Sequence, residues 1–186
     1  MIAAYRRLAM RFAPLAFVGL SVMALAGCAT GEAPRERARP TAGRPPIVVR
    51  PLFAADYMAV ASSIDLYLLR SAELALTRAQ NPRHRDFART MISAHNGTSA
   101  QLSFAGRRLN LLPSATLLPG HQAMLDELAA SSDFDAAYRR QQIAVHEAAV
   151  KLHGDFAARG ESATLRPVAA NAARIVRRHL DTMRRM

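Results

Sequence analysis

The chain has 186 residues, 51% of them hydrophobic, and 25 Lys and Arg against 14 Asp and Glu give a formal charge of +11. That length suits one domain once targeting segments are set aside. Cys28 is the only cysteine, which excludes a disulfide within the chain and leaves stability to an apolar core.

The amino terminus comes first. Arg6, Arg7 and Arg11 precede the apolar stretch FAPLAFVGLSVMAL, which ends at Leu25 of Leu25-Ala26-Gly27-Cys28. The stretch is shorter than the roughly 20 residues of a membrane span. A basic start, a short apolar run and small residues at its end describe a secretory signal peptide over residues 1–27. The string LAGC resembles a bacterial lipobox. The resemblance implies cleavage before Cys28, thioether lipidation of Cys28 and acylation of the new amino terminus. A lipid-anchored, periplasm-facing envelope protein is therefore expected. Ala29, standing where sorting signals for the inner membrane place Asp, leans towards the outer membrane. Export excludes nucleic acid as a partner. No protein partner can be read from the chain. Removing the signal takes three arginines and no acid, so the charge falls from +11 to +8. Lys151 is the only lysine. Such an arginine surface is either a set of solvated helix faces or a contact for anionic lipid or cell wall.

Residues 28–51 hold the lipidated cysteine and a Pro- and Arg-rich segment with five prolines, five Arg and two Glu. It shows no helical apolar period and reads as a disordered tether. At about 3.1 Å per residue it would reach roughly 70 Å.

The domain proper is expected over residues 52–186. A first helix from Phe53 to Ala79 carries Ala59, Ser63, Leu66, Leu69, Glu73 and Leu76 at three- and four-residue steps. Asn81-Pro82 ends it and starts the next, since Asn caps well and Pro is favoured at the first helical position. So short a turn makes an antiparallel hairpin. The second helix runs from Pro82 to about Leu109 on Phe87, Met91, Ile92, His95, Ser99 and Leu102. NLLPSATLLPG is a loop, and a short helix follows from about His121 to Ala130. The third long helix spans Ser132 to Gly160, with Ser132 as its cap and Asp135 three residues on. Its stripe is Phe134, Tyr138, Gln142, Val145, His146, Ala149 and Phe156. The fourth starts near Thr164 to Pro167 and carries Val168, Ala172, Ile175, Val176, His179 and Met183. The class is all-α: an antiparallel four-helix bundle with a short extra helix between the second and third.

The segments SAELALTRAQNPRHRDFARTMISAH, LNLLP, SDFDAAYRRQQIAVH and LRPVAANAARIVRRHL, in this order and spacing, resemble the domain of unknown function 4142 family. The likeness covers roughly residues 53–183. It implies an exported protein with a ferritin-like bundle and no assigned activity. The family's recurrent polar positions fall on Glu73, His95, Asp135, Tyr138, His146 and His179. Ala94 stands where the family usually has an acid, and Ala173-Arg174 replaces a Leu-Pro pair.

Glu73, His95, His146 and His179 lie one on each long helix, in or beside its apolar stripe. Bundle cores are where carboxylate and histidine metal sites are built. Such a set would suit zinc or another divalent transition metal. The alternative is a ring of core polar groups bonded to one another, to backbone or to Tyr138. A ferritin-type diiron site is excluded, because it needs Glu-x-x-His on two helices and Ile92 and Val176 occupy those places. Asp56 and Asp65 read as solvent-side or capping charges, His84 as exposed and His121 as in or near the loop; His153, seven residues after His146, either shares its face or stands at an exposed edge. No phosphate loop, G-x-S-x-G or second thiol is present. The functions left open are a binding or stress-associated envelope module, a divalent-metal protein using the Glu/His cluster, and a structural bundle at membrane or cell wall. No acid–base pair or nucleophile argues for an enzyme.

Overall fold

Asn81 and Pro82 act as their types require. The Asn81 side chain accepts a hydrogen bond from the Arg83 N–H, and Pro82 opens the following helix. The structure, a computed structural model, describes residues 52–186; the expected signal peptide, Cys28 and the expected tether lie outside the described residues. Among the described residues five helices follow one another: α1 (Ala54–Arg78), α2 (Pro82–Arg107), α3 (Pro119–Ala130), α4 (Phe134–Arg159) and α5 (Arg166–Arg184). The helical segments thus match the periodic stretches of the sequence to within two or three residues. The described residues lie within one compact unit.

Hydrogen bonds at the two ends fix the course of the chain. At one end, Asp135 at the start of α4 accepts from the Gln80 and Asn81 N–H groups in the α1–α2 turn. At the other, Leu52 bridges Gly160, and Glu161 Oε1 accepts from the Ala54 N–H. α1 and α5 therefore run one way and α2 and α4 the other. The contacting pairs of long helices are α1 with α2, α4 with α5, α1 with α4 and α2 with α5. All four are antiparallel. Joining α2 to α4 takes one long crossover, which carries α3 along α1 and α4; this is the ferritin-like connection. Arg78 holds the crossover down. Its guanidinium donates to the carbonyls of Leu128, Ala129 and Ser131 at the end of α3 and lies 5.0 Å from the Phe134 ring centroid. A cation there also suits the negative end of the helix dipole.

Two local expectations change. The cap of α4 is Asp133, whose carboxylate accepts from the Ala136 N–H; Ser132 is exposed. Asp135 reaches across to the α1–α2 turn instead of back to its own helix, so the chain enters one residue later. The buried face of α1 is also shifted by about one position. Tyr57, Met58, Ala61, Ile64, Asp65, Leu68, Ala72 and Ala75 are buried, while Ala59 and Glu73 are exposed. Leucines at 66, 68, 69, 74 and 76 surround this helix, so apolar period alone does not single out one face.

The core forms three packed groups along the axis. Phe87, Met91, Tyr138 and Met183 lie in one, Ile64, Tyr67, Val145 and Val176 in the next, and Met58, Leu102, Phe156 and Leu165 in the third. Among the described residues no helix is long and apolar enough to cross a membrane.

Candidate metal centre

Asp65, His95 and His146 each sit between three and four helical turns from the end shared by the α1–α2 turn and the start of α4. Antiparallel packing brings them to one level, and α5 adds His179. The imidazoles of His95, His146 and His179 form a nearly equilateral triangle, with ring centroids 6.0, 5.5 and 5.7 Å apart. One ring nitrogen from each lies within 4.8 Å of the other two. The rings are 0%, 0% and 8% exposed. The Phe87 ring lies 6.1 Å from those of His146 and His179 and forms an apolar wall.

Hydrogen bonds decide which nitrogens face the centre. His95 Nδ1–H donates to Asp65 Oδ1 at 2.8 Å. The same carboxylate accepts from Thr98 Oγ1 at 3.1 and 3.0 Å and from Ser99 Oγ at 3.1 Å. A carboxylate only accepts, so the His95 proton toward it is on Nδ1 and Nε2 is the free nitrogen. His146 Nδ1–H donates to the Gln142 carbonyl at 2.8 Å, again leaving Nε2. His95 Nε2, His146 Nε2 and His179 Nδ1 are all buried without a protein partner. Burial pushes His146 down to about 4, against a rise from its bond to Gln142 and helped by nearby His95. Burial, then His95, His146 and Arg178, push His179 down to about 3. Both rings are therefore neutral at neutral pH and can offer lone pairs.

Three imidazole nitrogens fit a transition metal. At metal–nitrogen distances of about 2.0–2.1 Å, tetrahedral ligands stand roughly 3.4 Å apart. The separations here, at most 4.8 Å, are of that order. A carboxylate behind a metal-ligating histidine is the usual outer partner that fixes tautomer and orientation; Asp65 occupies that place. His179 also lines a surface cleft of about 270 Å³ with Arg83, Asp86, Phe87 and Thr90.

Of the four residues expected to meet, three do. Glu73 is exposed on α1 and takes no part, because the face of α1 that turns inward is centred one position away. The acid that does reach the cluster is Asp65, only 4% exposed and read from sequence as a solvent-side charge. Its signal was its spacing, four residues after Ala61 and three before Leu68, both buried. His84, expected outside, is buried and bonded through Nδ1 to Asp135 at 2.7 Å. His153 is buried too, with Tyr57 Oη at 2.9 Å from its Nδ1. Tyr138 lies on the same face of α4, but its hydroxyl has no protein partner, so it does not satisfy the histidines.

No curated protein matches the chain. Solved structures do. "CopM in the Cu(II)-bound form" superposes with a TM-score of 0.63 at 20% identity, over 73% of this chain and 96% of that one. "CopM in the Cu(I)-bound form" gives 0.60 at 18% identity, over 70% and 92%. "CopM in the apo form" gives 0.59 at 18% identity, over 72% and 94%. At this identity the likeness establishes the shared helical-bundle fold. A family model described as "Domain of unknown function (DUF4142)" matches residues 49–186, and the chain belongs to that family.

Proposed function

We propose that this protein is an envelope lipoprotein that binds one transition-metal ion through His95, His146 and His179, with Asp65 orienting His95. One observation carries the metal reading. Three buried ring nitrogens converge and none has a protein partner. A buried polar atom left unpaired costs roughly 1–3 kcal/mol, and one ion would pair all three at once. Neutral imidazoles suit zinc, copper and nickel, with Cu(II) highest in the affinity series. Neighbours of the same fold were solved with Cu(II) and Cu(I) bound, so copper is the first ion to test and zinc the second. The envelope reading is supported by the basic start, short apolar run and LAGC string ending at Cys28.

The test is equilibrium dialysis of chelator-stripped protein against Cu(II) and Zn(II). One ion per chain is expected, with affinity falling at least 100-fold in each of His95→Ala, His146→Ala and His179→Ala. Absence of binding, or a folded His146→Ala variant that binds as tightly as the parent, would sink the proposal.

A further inference from the structure

Among the described residues the large hydrophobic side chains that stand in solvent are Phe53, Phe104, Leu112 and Leu118, at 46%, 63%, 75% and 38% exposure. The first three share one end of the bundle. Phe53 precedes α1 and Phe104 is in the last turn of α2. Leu112 follows the loop that folds back over Met58. The same end carries the junctions Leu52–Gly160 and Ala54–Glu161. Between α2 and the start of α5, Phe104, Ala105, Pro167 and Val168 line an open cleft of about 540 Å³ with Arg108 at its rim.

The charge there is basic. Arg107, Arg108 and Arg166 are exposed. None forms an ion pair among the described residues. The acids nearby are engaged or few. Glu161 is bonded to the Ala54 N–H, Asp155 is paired with Lys151 and Arg159, and Asp56 is exposed. Apolar side chains ringed by arginine are what an anionic bilayer surface accepts, the first entering the acyl boundary and the second meeting headgroups. The covalent path points the same way. The 23 residues from Ala29 to Pro51, with five Arg and two Glu, join this end at Leu52 to Cys28, the residue expected to carry lipid.

The geometry points to this end of the bundle, with Phe53, Phe104 and Leu112 and the arginines 107, 108 and 166, as a docking surface for an anionic lipid bilayer. The acyl chains expected on Cys28 would anchor the domain without setting its orientation. Apolar contact plus basic residues at this end would set that orientation. Docking would stand the bundle on that end and leave the His179 cleft, which opens among the first turns of α2 and the end of α5, away from the membrane.

The test uses the domain of residues 52–186, without tether or lipid, so that the bundle end acts alone. Vesicles of phosphatidylcholine containing one-third phosphatidylglycerol are compared with pure phosphatidylcholine by co-sedimentation. Binding is expected only to the anionic vesicles, weakening as salt is raised. Arg107→Glu with Arg108→Glu should lower partitioning on the order of tenfold or more. Phe104→Ser with Leu112→Ser should lower it at least fivefold with circular dichroism unchanged, since both side chains are already exposed. Equal partitioning to both vesicle types, or variants that bind like the parent, would overturn the proposal. So would a concentration-dependent dimer abolished by Phe104→Ser, which would assign this end to a second copy.

Discussion

Asp65 determines which nitrogen of His95 faces the centre. Its carboxylate accepts from His95 Nδ1–H and from two hydroxyls besides, so its own orientation is fixed. Asp65→Asn keeps the shape but removes the charge and one acceptor. Metal affinity is expected to fall about 10- to 100-fold, the usual loss for an outer carboxylate, with the fold retained. Competition titration against a chromogenic chelator measures this, and an unchanged affinity would remove Asp65 from the site. The three histidines were legible because α2, α4 and α5 each have a narrow apolar stripe that includes one. Asp65 was not, because leucines lie on several sides of α1 and hide the centre of its buried face. The common level of Asp65, His95 and His146 became visible only when Asp135 was seen to pin the start of α4 beside the α1–α2 turn.

At the scale of elements, the ends of the helices were largely written in the chain. Asn81-Pro82 and Pro167 mark starts by removing or satisfying amide groups that a helix leaves free; α3 starts at Pro119, inside the stretch expected as loop. The exception is α4, where Ser132, Asp133 and Asp135 can all cap and the choice depends on a bond to another helix. The close of α2 depends on a residue with no side chain. Gly106 O accepts from Leu111 N–H at 2.9 Å, and Asn110 turns the chain with φ 56°. A Cβ on Gly106 would collide with the Leu111 carbonyl and with Met58 Cε. Gly106→Ala should destabilise the protein by about 1–3 kcal/mol through overpacking, read as a lower urea midpoint, while metal affinity per folded molecule stays unchanged. Equal midpoints would show that the loop can move aside without cost.

For the whole molecule, buried histidines make stability depend on pH. Burial pushes His153 to about 4, partly opposed by Asp65, and pushes His146 to about 4 and His179 to about 3. In the unfolded chain a histidine titrates near 6.5. Between those values the unfolded chain binds protons that the folded one refuses, so stability rises with pH. It is complete above about pH 6.5 and is withdrawn as the pH falls towards 4. His146 and His153 each withdraw on the order of 3 kcal/mol across that window. Urea midpoints of the metal-free protein at pH 7, 5.5 and 4.5 should fall in that order, and a flat series would contradict the burial of these rings as neutral groups.

The bundle was readable as a whole because amphipathic period, caps and loop length agree along the chain. The metal proposal depends on something no single stretch contains, the meeting of three ring nitrogens from three helices. X-ray absorption at the copper edge of the loaded protein tests that meeting most directly. The predicted result is a nitrogen shell at about 2.0–2.1 Å with the outer scattering of three imidazoles, reduced to two in His146→Ala. A sulfur shell, or a spectrum that His95→Ala, His146→Ala and His179→Ala all leave unchanged, would contradict it.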